Sequence, residues 1–314
     1  MLQAKWTWLN DYAQTVPYTV FPETLYTRDS LLDGFRPYNP EAKAASYDRR
    51  VYAHFIKTGK RSSKPQELML RSLHDQSIGG ALDRFLARFD TKKIVGIMGG
   101  HALTRNDLMY RKIVLLAKQL TEMGYLMTSG GGSGAMEATH LGAWLAGRSN
   151  EDVKIAFAIL DEAPSTDAPD WLERAFEVVE RFPQTTYESV SLPTWLYSHE
   201  PSNIFATSIA KFFDNNTREM RLLSLASAGM VFTPGSGGTF MEVFEEAALN
   251  HYATYDASCP MIFFGKTFWT QKAAFHPFLE KLIADGLYKN IKLSVTDDLF
   301  DVIQTVEFWQ KNLT

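Results

Sequence analysis

The sequence has a single cysteine, Cys259, among its 314 residues, so neither a disulfide within the chain nor a cysteine-rich metal site can form. No run of about 18 apolar residues indicates a membrane-spanning helix, and the first six residues lack the apolar core of a signal peptide. The formal net charge of −4 argues against a dominant nucleic-acid surface. We therefore expect a cytoplasmic protein without membrane or nucleic-acid partners, in which Cys259 is a small buried side chain.

Several motifs of known catalytic and cofactor sites are also absent. No H-E-x-x-H sequence occurs, and the seven histidines lack close metal-ligand spacing, so we expect no metal site. The G-x-S-x-G motif of serine hydrolases is missing as well. The glycine-rich stretches fit neither the dinucleotide pattern G-x-G-x-x-G nor the phosphate loop G-x-x-x-x-G-K-[ST]. We therefore predict no cofactor. In particular, we expect neither NAD binding nor ATP hydrolysis of the usual kind.

Short apolar stretches alternate with helical patterns from residue 93 onwards. Strands are predicted at 93–100, in the apolar run that ends before Gly130, and at 153–160, 176–179, 230–233 and 260–264. Helices are predicted at about 107–123 and 204–226, and in the C-terminal tail at 278–282, near 287 and at 300–308. This alternation favours an α/β fold with a parallel sheet that helices cover on both faces.

One glycine-rich stretch lies between an apolar run and a helical pattern, over residues 229–246. Its turn consists of Gly235, Ser236, Gly237, Gly238 and Thr239. Glycines without a Cβ, followed by a helix N-terminus, can bring backbone N–H groups close to an anion such as a phosphate. The alternative is ordinary helix capping, because Thr239 to Glu242 fits a capping box that would place Glu242 in the first turn of the helix.

A second stretch, residues 125–143, repeats this design. Its turn consists of Gly130, Gly131, Gly132, Ser133 and Gly134, and a helical pattern through Met136 follows. In an open α/β sheet, such turns lie at the carboxyl ends of the strands, where ligands bind. Two helix N-termini could then share one ligand, which makes a binding site a better explanation than capping alone.

The two turns together resemble the Lonely Guy family, whose members are often labelled lysine decarboxylases. Pro234 to Glu242 is similar to that family's PGGxGTxxE signature, and Ser129 to Ala138 is similar to its first glycine turn. The resemblance spans roughly residues 93–265 and implies a Rossmann-like, doubly wound domain that is usually a homodimer. It also implies hydrolysis of the N-glycosidic bond of a nucleoside 5′-monophosphate to free base and ribose 5-phosphate. Lysine decarboxylation is not expected, since neither turn offers a cofactor-bearing lysine.

The resemblance also implies roles for individual residues. Glu242 is expected to stabilise positive charge on the ribose and to activate water, and the helix N-terminus is expected to keep it ionised. Arg218 is the expected catalytic arginine, although an ungapped alignment places Glu219 there and Arg221 is a rival. The predicted ligand-binding residues are Gly99, Gly100, Gly130, Gly131, Gly132, Ser133, Gly134, Met136, Glu137, Arg221, Gly235, Ser236, Gly237, Gly238 and Thr239.

The sequence departs from the family pattern at two places. Ser236 replaces the family's second glycine, which requires a backbone without positive φ at this position. The family's lysine, on the helix before the signature strand, is absent.

Three further residues are weaker candidates. Arg105 either contacts the nucleotide or is a surface charge near a helix start, and we favour the surface charge. His199 and Glu200 lie in an aromatic loop between residues 188 and 203 that could close over a base or pack on the core.

The alternative function is non-catalytic binding. Molybdenum cofactor carrier proteins look similar in fold and hold a phosphorylated pterin without turning it over. The missing lysine leaves room for such a nucleotide carrier or sensor, whereas Glu242 favours hydrolysis because a carrier does not need that carboxylate.

We predict three regions along the chain. Residues 1–90 are expected to form a mostly helical N-terminal extension, residues 91–270 a Rossmann-like nucleotide-binding domain, and residues 271–314 C-terminal covering helices. No chemistry is expected in the tail.

Overall fold

The computed structural model describes residues 7–35, 37–39, 41, 45–197, 203–254 and 258–312. In this part of the chain, seven parallel strands form one sheet in the order β4-β3-β2-β1-β5-β6-β7. The strands are β1 (Ile94–Met98), β2 (Leu126–Ser129), β3 (Ser189–Ser191), β4 (Ser208–Ile209), β5 (Gly229–Phe232), β6 (Pro260–Phe264) and β7 (Lys292–Thr296).

Helices precede, connect and follow these strands. Those of the N-terminal region are α1 (Thr7–Ala13), α2 (Arg28–Leu31), α3 (Tyr47–Thr58) and α4 (Pro65–Leu86). The others are α5 (Leu108–Glu122), α6 (Ala135–Trp144), α7 (Asn150–Asp161), α8 (Trp171–Arg181), α9 (Asn215–Leu225), α10 (Gly237–Tyr252), α11 (Phe275–Ala284) and α12 (Leu299–Lys311).

Helices cover both faces of the sheet, as the alternation along its central strand shows. Val95 and Ile97 face one core, which α5 to α8 and α12 cover. Ile94 and Met98 face the other, to which α3, α4, α9, α10 and α11 contribute. Successive side chains of a strand point to opposite faces, so β1 is buried on both sides. The predicted α/β fold, a doubly wound parallel sheet, is confirmed.

The predicted strand at 153–160 is wrong, because this stretch forms α7. Val153, Ala156 and Leu160 are buried at helical spacing, and Ser149 forms a capping box with Asp152 at the N-terminus. A dense apolar run concealed the helical period, and the capping pair was the signal that could have revealed it.

The predicted strand at 176–179 is wrong for a similar reason, since it lies within α8. The helix predicted at 204–226 is also too long. It begins at Asn215, because Asp214 caps its N-terminus by accepting a hydrogen bond from the Thr217 N–H at 2.8 Å. Part of the preceding segment runs as β4 along β3, so pairing with the sheet replaces the predicted helix there.

The C-terminal tail contains a strand that the sequence did not reveal. Lys292–Thr296 forms β7 and pairs with β6 at one edge of the sheet, between the two predicted helices α11 and α12. Its side chains are exposed or half-buried, so it lacks the apolar run that marks the inner strands.

Within the described ranges, none of the helices combines the length and the apolar character that a membrane span requires.

Candidate functional site

Three glycine-containing turns meet at the carboxyl ends of β1, β2 and β5, the central strands of the sheet. The Gly100 N–H donates to the carbonyl oxygen of Pro234 at 3.0 Å, and the Ala135 N–H donates to the carbonyl oxygen of Gly100 at 3.1 Å. Strands β2 to β4 are added on one side of β1 and strands β5 to β7 on the other, so the strand order reverses between β1 and β5, which is where open α/β sheets bind ligands. The turns are therefore linked into one assembly at the expected place.

A cavity of about 450 Å³ opens between these turns. Eight predicted site residues line it: Gly99, Gly100, Met136, Arg218, Ser236, Gly238, Thr239 and Glu242. His101, Tyr197 and Glu219 line it as well. Its wall thus combines one arginine and two glutamates with the N-terminus of α10.

The glycine turn of residues 235–239, which is the second in chain order, leaves the N-terminus of α10 open. Helix α10 begins at Gly237, after Ser236 with φ of −133°, so the serine meets the backbone requirement of its position. The Ser236 side chain forms no capping hydrogen bond, and a Cβ built on Gly237 or Gly238 would meet nothing within 4 Å. The first N–H groups of a helix have no acceptor within it, so an anion can approach them here.

The alternative of a capping box at Thr239 to Glu242 is wrong, and so is the prediction that Glu242 lies in the first turn of the helix. The Phe240 N–H donates to the carbonyl oxygen of Ser236 at 2.9 Å, so the helix starts before Thr239. Thr239 instead packs against Gly235, where a Cβ would lie 2.7 Å from the threonine Cβ. Glu242 consequently lies in the second turn of the helix, after the residues whose N–H groups have no acceptor within the helix.

The glycine turn of residues 130–134, which is the first in chain order, is closely packed. Gly131 and Gly134 have φ of +79° and +67°, conformations that favour glycine. The Ser133 hydroxyl donates to the carbonyl oxygen of His101 at 2.9 Å, and the Asn203 N–H donates to that of Gly131 at 2.9 Å. The predicted residues Gly130, Gly131, Gly132, Ser133 and Gly134 thus belong to a closely packed turn, and they do not line this cavity.

Arg105 and Glu137 form a buried ion pair beside this turn. Arg105 is only 1% exposed, so the predicted surface charge is wrong. Its Nε and Nη2 lie 3.0 and 2.6 Å from Glu137 Oε1, and its Nη1 donates to the carbonyl oxygens of Ala163 and Trp171 at 3.1 and 2.8 Å. The sequence could not show that a distant loop and α8 supply these acceptors. Glu137 faces Arg105 and is not part of the cavity wall.

The structure separates the two candidate arginines. Arg218 is buried, lines the cavity, and has its Nη1 4.0 Å from Glu219 Oε1. Within the described residues, its Nε has no hydrogen-bond partner. Arg221 lies three residues along the helix and is part-exposed, with its Nη1 donating to Asp83 Oδ1 at 2.8 Å. Only Arg218 of the two therefore reaches the cavity.

Burial determines the charge of Glu242. Removal from water, opposed by the charge of Arg218 and reinforced by those of Glu219 and Glu245, raises the pKa of its carboxyl to about 8. This contradicts the expectation that the helix N-terminus keeps Glu242 ionised. Burial likewise raises the pKa of Glu219, against the opposing effects of Arg218 and of a hydrogen bond from Asn215. In the part of the chain that the structure describes, no three carboxylate, histidine or cysteine side chains converge to hold a metal ion.

Three cavity residues were not predicted as ligands. Tyr197 belongs to the aromatic loop between residues 188 and 203, which the sequence suggested could close over a base. Glu219 occupies the position that an ungapped alignment gives to the family's arginine. His101 directly follows Gly99 and Gly100, so its place after β1 was the available signal. The two weaker candidates His199 and Glu200 lie outside the described residues.

No family model and no curated protein matches the sequence. Solved structures with a similar fold include the structural-genomics target TM1055, which is 19% identical with a TM-score of 0.43 and covers 69% of this chain and 99% of its own. A molybdenum cofactor binding protein from the phototrophic bacterium Rippkaea orientalis is 14% identical with a TM-score of 0.41, covering 68% and 96%. The molybdenum cofactor carrier protein from Chlamydomonas reinhardtii is 17% identical with a TM-score of 0.41, covering 70% and 98%.

Proposed function

We propose that this protein hydrolyses the N-glycosidic bond of a nucleoside 5′-monophosphate and releases the free base and ribose 5-phosphate. The observation that carries this proposal is the presence of Arg218 and Glu242 in one cavity, beside the uncapped N-terminus of α10. A volume of about 450 Å³ suits a ligand of nucleotide size.

The second glycine turn supplies the proposed phosphate site. The backbone N–H groups of Gly237, Gly238 and Thr239 belong to the first turn of α10, where the helix dipole favours negative charge. Arg218 adds a cation, and its planar guanidinium suits phosphate oxygens. The phosphate thus fixes the ribose within the cavity that Glu242 lines.

Glu242 performs the proposed chemistry. As the bond between the anomeric carbon and the base breaks, positive charge develops on the ribose, and an adjacent carboxylate stabilises it. Glu242 takes a proton from the attacking water while the water oxygen bonds to the anomeric carbon. The base leaves with the electron pair of the broken bond and takes up a proton. This role requires ionised Glu242, so catalysis should increase as the pH approaches the raised pKa of about 8.

The decisive experiment measures ribose 5-phosphate release from a panel of nucleoside 5′-monophosphates by the wild type and by Glu242→Gln. The matched control is Glu246→Gln. Glu246 lies one turn further along α10, outside the cavity wall, and its Oε1 accepts a hydrogen bond from the buried Cys259 thiol at 3.1 Å. Release that is lost in Glu242→Gln but kept in the control supports the proposal. Saturable binding with no release of ribose 5-phosphate at any pH up to 9 would contradict it.

A second candidate function is a carrier or sensor that binds a phosphorylated small molecule without cleaving it. The observation that favours it is the raised pKa of Glu242, because a carboxyl with a pKa of about 8 is mostly protonated at neutral pH, and only its ionised form acts as a base. A carrier would return its ligand intact after long incubation. Chromatography of the recovered ligand therefore separates the two candidates.

A homodimer and a cytoplasmic location remain predictions from the sequence. Sedimentation of the purified protein tests the first, and cell fractionation tests the second. The proposed chemistry requires neither, since Arg218 and Glu242 line the same cavity in one chain.

A further inference from the structure

Helix α4 of the N-terminal region contacts Asp214, the N-cap residue of α9. Asp75 is buried on α4, and its carboxylate accepts hydrogen bonds from the backbone N–H groups of Phe213 and Asp214 at 2.9 and 2.8 Å. Asp214 is the N-cap of α9 and accepts in turn from the Thr217 N–H at 2.8 Å. Asp75 therefore fixes the start of this helix in space.

The Asp75 carboxylate is itself held from behind. His74 Nδ1 lies 2.9 Å from Asp75 Oδ1, and His74 Nε2 lies 3.0 Å from the Tyr26 hydroxyl. The Tyr26 backbone exchanges hydrogen bonds with Ile209 of β4 at 2.9 and 2.8 Å. This chain of contacts connects the sheet edge to Asp75, so the carboxylate has little freedom to rotate away.

Arg218 follows directly from this fixed helix start. Its N–H donates to the carbonyl oxygen of Asp214 at 3.2 Å, which is one helical turn from the cap. Its guanidinium reaches the cavity that Glu242 lines. A helix turn that shifts moves its side chains with it, so the position of the guanidinium depends on the position of the cap.

We propose that Asp75 is a positioning residue for Arg218, holding the first turn of α9 so that the guanidinium faces Glu242. What Arg218 does for a ligand rests on the proposed function, whereas its placement by Asp75 does not. The N-terminal region thus contributes to the site without touching the ligand.

A second contact between the same two helices provides a matched control. Asp83 of α4 pairs with Arg221 of α9 at 2.8 Å, and these side chains are 55% and 38% exposed. Exposed pairs contribute little to stability. Asp83→Asn therefore removes a carboxylate between α4 and α9 without affecting the helix start.

The first test needs no ligand and follows the titration of Glu242 by carbon-13 NMR of glutamate-labelled protein, with Glu242→Gln to assign the signal. Charged and titrating groups near Glu242 are Arg218 and Glu219 on α9, Glu245 on its own helix, and Tyr197. Arg218 lowers the pKa of Glu242, so displacing the guanidinium raises it.

We expect Asp75→Asn and Arg218→Ala each to raise the pKa of Glu242, and Asp83→Asn to leave it unchanged. Asparagine offers one acceptor oxygen in place of two and turns an NH₂ group towards the backbone N–H groups. Adding Asp75→Asn to Arg218→Ala should change nothing further. If Asp75→Asn is too unstable to purify, Tyr26→Phe removes only the hydroxyl that meets His74 and should raise the same pKa by less.

The second test measures AMP affinity by calorimetry. We expect Asp75→Asn to weaken AMP binding about tenfold, which is the scale of one hydrogen bond to a charged group, and to have no added effect in the Arg218→Ala background. An unchanged pKa of Glu242 in Asp75→Asn or in Arg218→Ala, or additive losses of affinity, would overturn the positioning role. A wild type that binds neither AMP nor any other nucleoside 5′-monophosphate of the panel would contradict the proposed function alone, because the NMR titration still decides the role of Asp75.

Discussion

The two glycine turns look alike in sequence but differ in what their glycines do. In the first turn, Gly131 and Gly134 are buried, have positive φ and lie against neighbouring backbone or side chains. In the second turn, Gly237 and Gly238 are exposed, and a Cβ on either would meet nothing within 4 Å. The first turn therefore needs glycine for its own folding, whereas the second leaves a helix N-terminus accessible. A glycine-rich turn indicates a ligand only where its N–H groups remain open.

The glutamates that follow the two turns differ in the same way. Each comes directly after a methionine, as Glu137 and Glu242. Helix α6 begins at Ala135, so Glu137 lies in its first turn, where it pairs with Arg105. Glu242 lies in the second turn of α10 and lines the cavity without a direct ion pair among the described residues. One glutamate is held in a buried ion pair, and the other faces the cavity without one among the described residues.

Gly134→Ala should have the largest effect of the substitutions that separate the two turns. Its backbone has φ of +67°, and an added Cβ would overlap the carbonyl oxygen of Gly100 and lie 2.8 Å from that of His101. We expect a loss of at least about 4 kcal/mol of unfolding free energy, since strain and overlap add. Gly238→Ala, in open space, should change it by less than about 1 kcal/mol. Urea denaturation measures both, and equal losses would remove the distinction between the turns.

The next largest expected effect is the difference in stability between Glu137→Gln and Glu242→Gln. Glu137→Gln leaves the buried Arg105 without its counter-charge, and we expect a loss of about 3 kcal/mol of unfolding free energy. Glu242→Gln replaces a carboxyl whose pKa is raised by burial, and glutamine avoids the cost of protonating it on folding at pH 7, so this variant should be no less stable than the wild type. Thermal unfolding of the two variants side by side provides the measurement. A larger loss in Glu242→Gln than in Glu137→Gln would contradict the contrast.

The pH dependence of stability sharpens the interpretation of Glu242. Its folded pKa of about 8 exceeds the ordinary carboxyl value of 4.5, so the stabilisation present below pH 4.5 is lost as the pH rises through 8. Glutamine does not titrate, so Glu242→Gln should gain about 1.4 kcal/mol of unfolding free energy relative to the wild type between pH 7 and pH 9. Burial also raises the pKa of Glu246, to about 7, but this residue is present in both proteins and cancels. If the difference in unfolding free energy between Glu242→Gln and the wild type stays constant from pH 5 to 9, Glu242 titrates normally and the interpretation fails.

The smallest effect separates the two arginines of α9. We expect Arg218→Ala to weaken AMP binding about tenfold or more, because it removes a charge-assisted contact to the phosphate. Arg221→Ala removes a part-exposed pair with Asp83 outside the cavity and should leave the affinity within about twofold. Calorimetric titration of both variants tests this difference. Equal losses would mean that helix displacement, and not contact with the ligand, explains the result.

Local sequence patterns predicted the elements with a clear signal. The strands near residues 93, 125, 230 and 260 carry apolar runs bounded by glycine or proline, and each is confirmed. The stretches at 153–160 and 176–179 were misassigned because short apolar runs do not by themselves distinguish a buried helix from a buried strand. Strand β7 was missed because an exposed edge strand has no such run.

The candidate site was predictable only in part. Spacing and resemblance led to Arg218 and Glu242, and both line the cavity. No local pattern could show that Arg105 is buried against Glu137, because its other acceptors lie more than fifty residues away in sequence. The capping box was misplaced because the helix begins at Gly237, three residues before the Phe240 start that a Thr239 cap would give.

The sequence by itself determined the α/β class and the two glycine turns, because apolar periodicity and glycine spacing act within a few residues. Only the tertiary structure decided which turn is open, which arginine reaches the cavity and how burial sets the charge of Glu242. It alone also brought Asp75 of α4 to the start of α9. These properties depend on groups distant along the chain that meet only after folding, since burial, ion pairing and helix position arise from packing between elements.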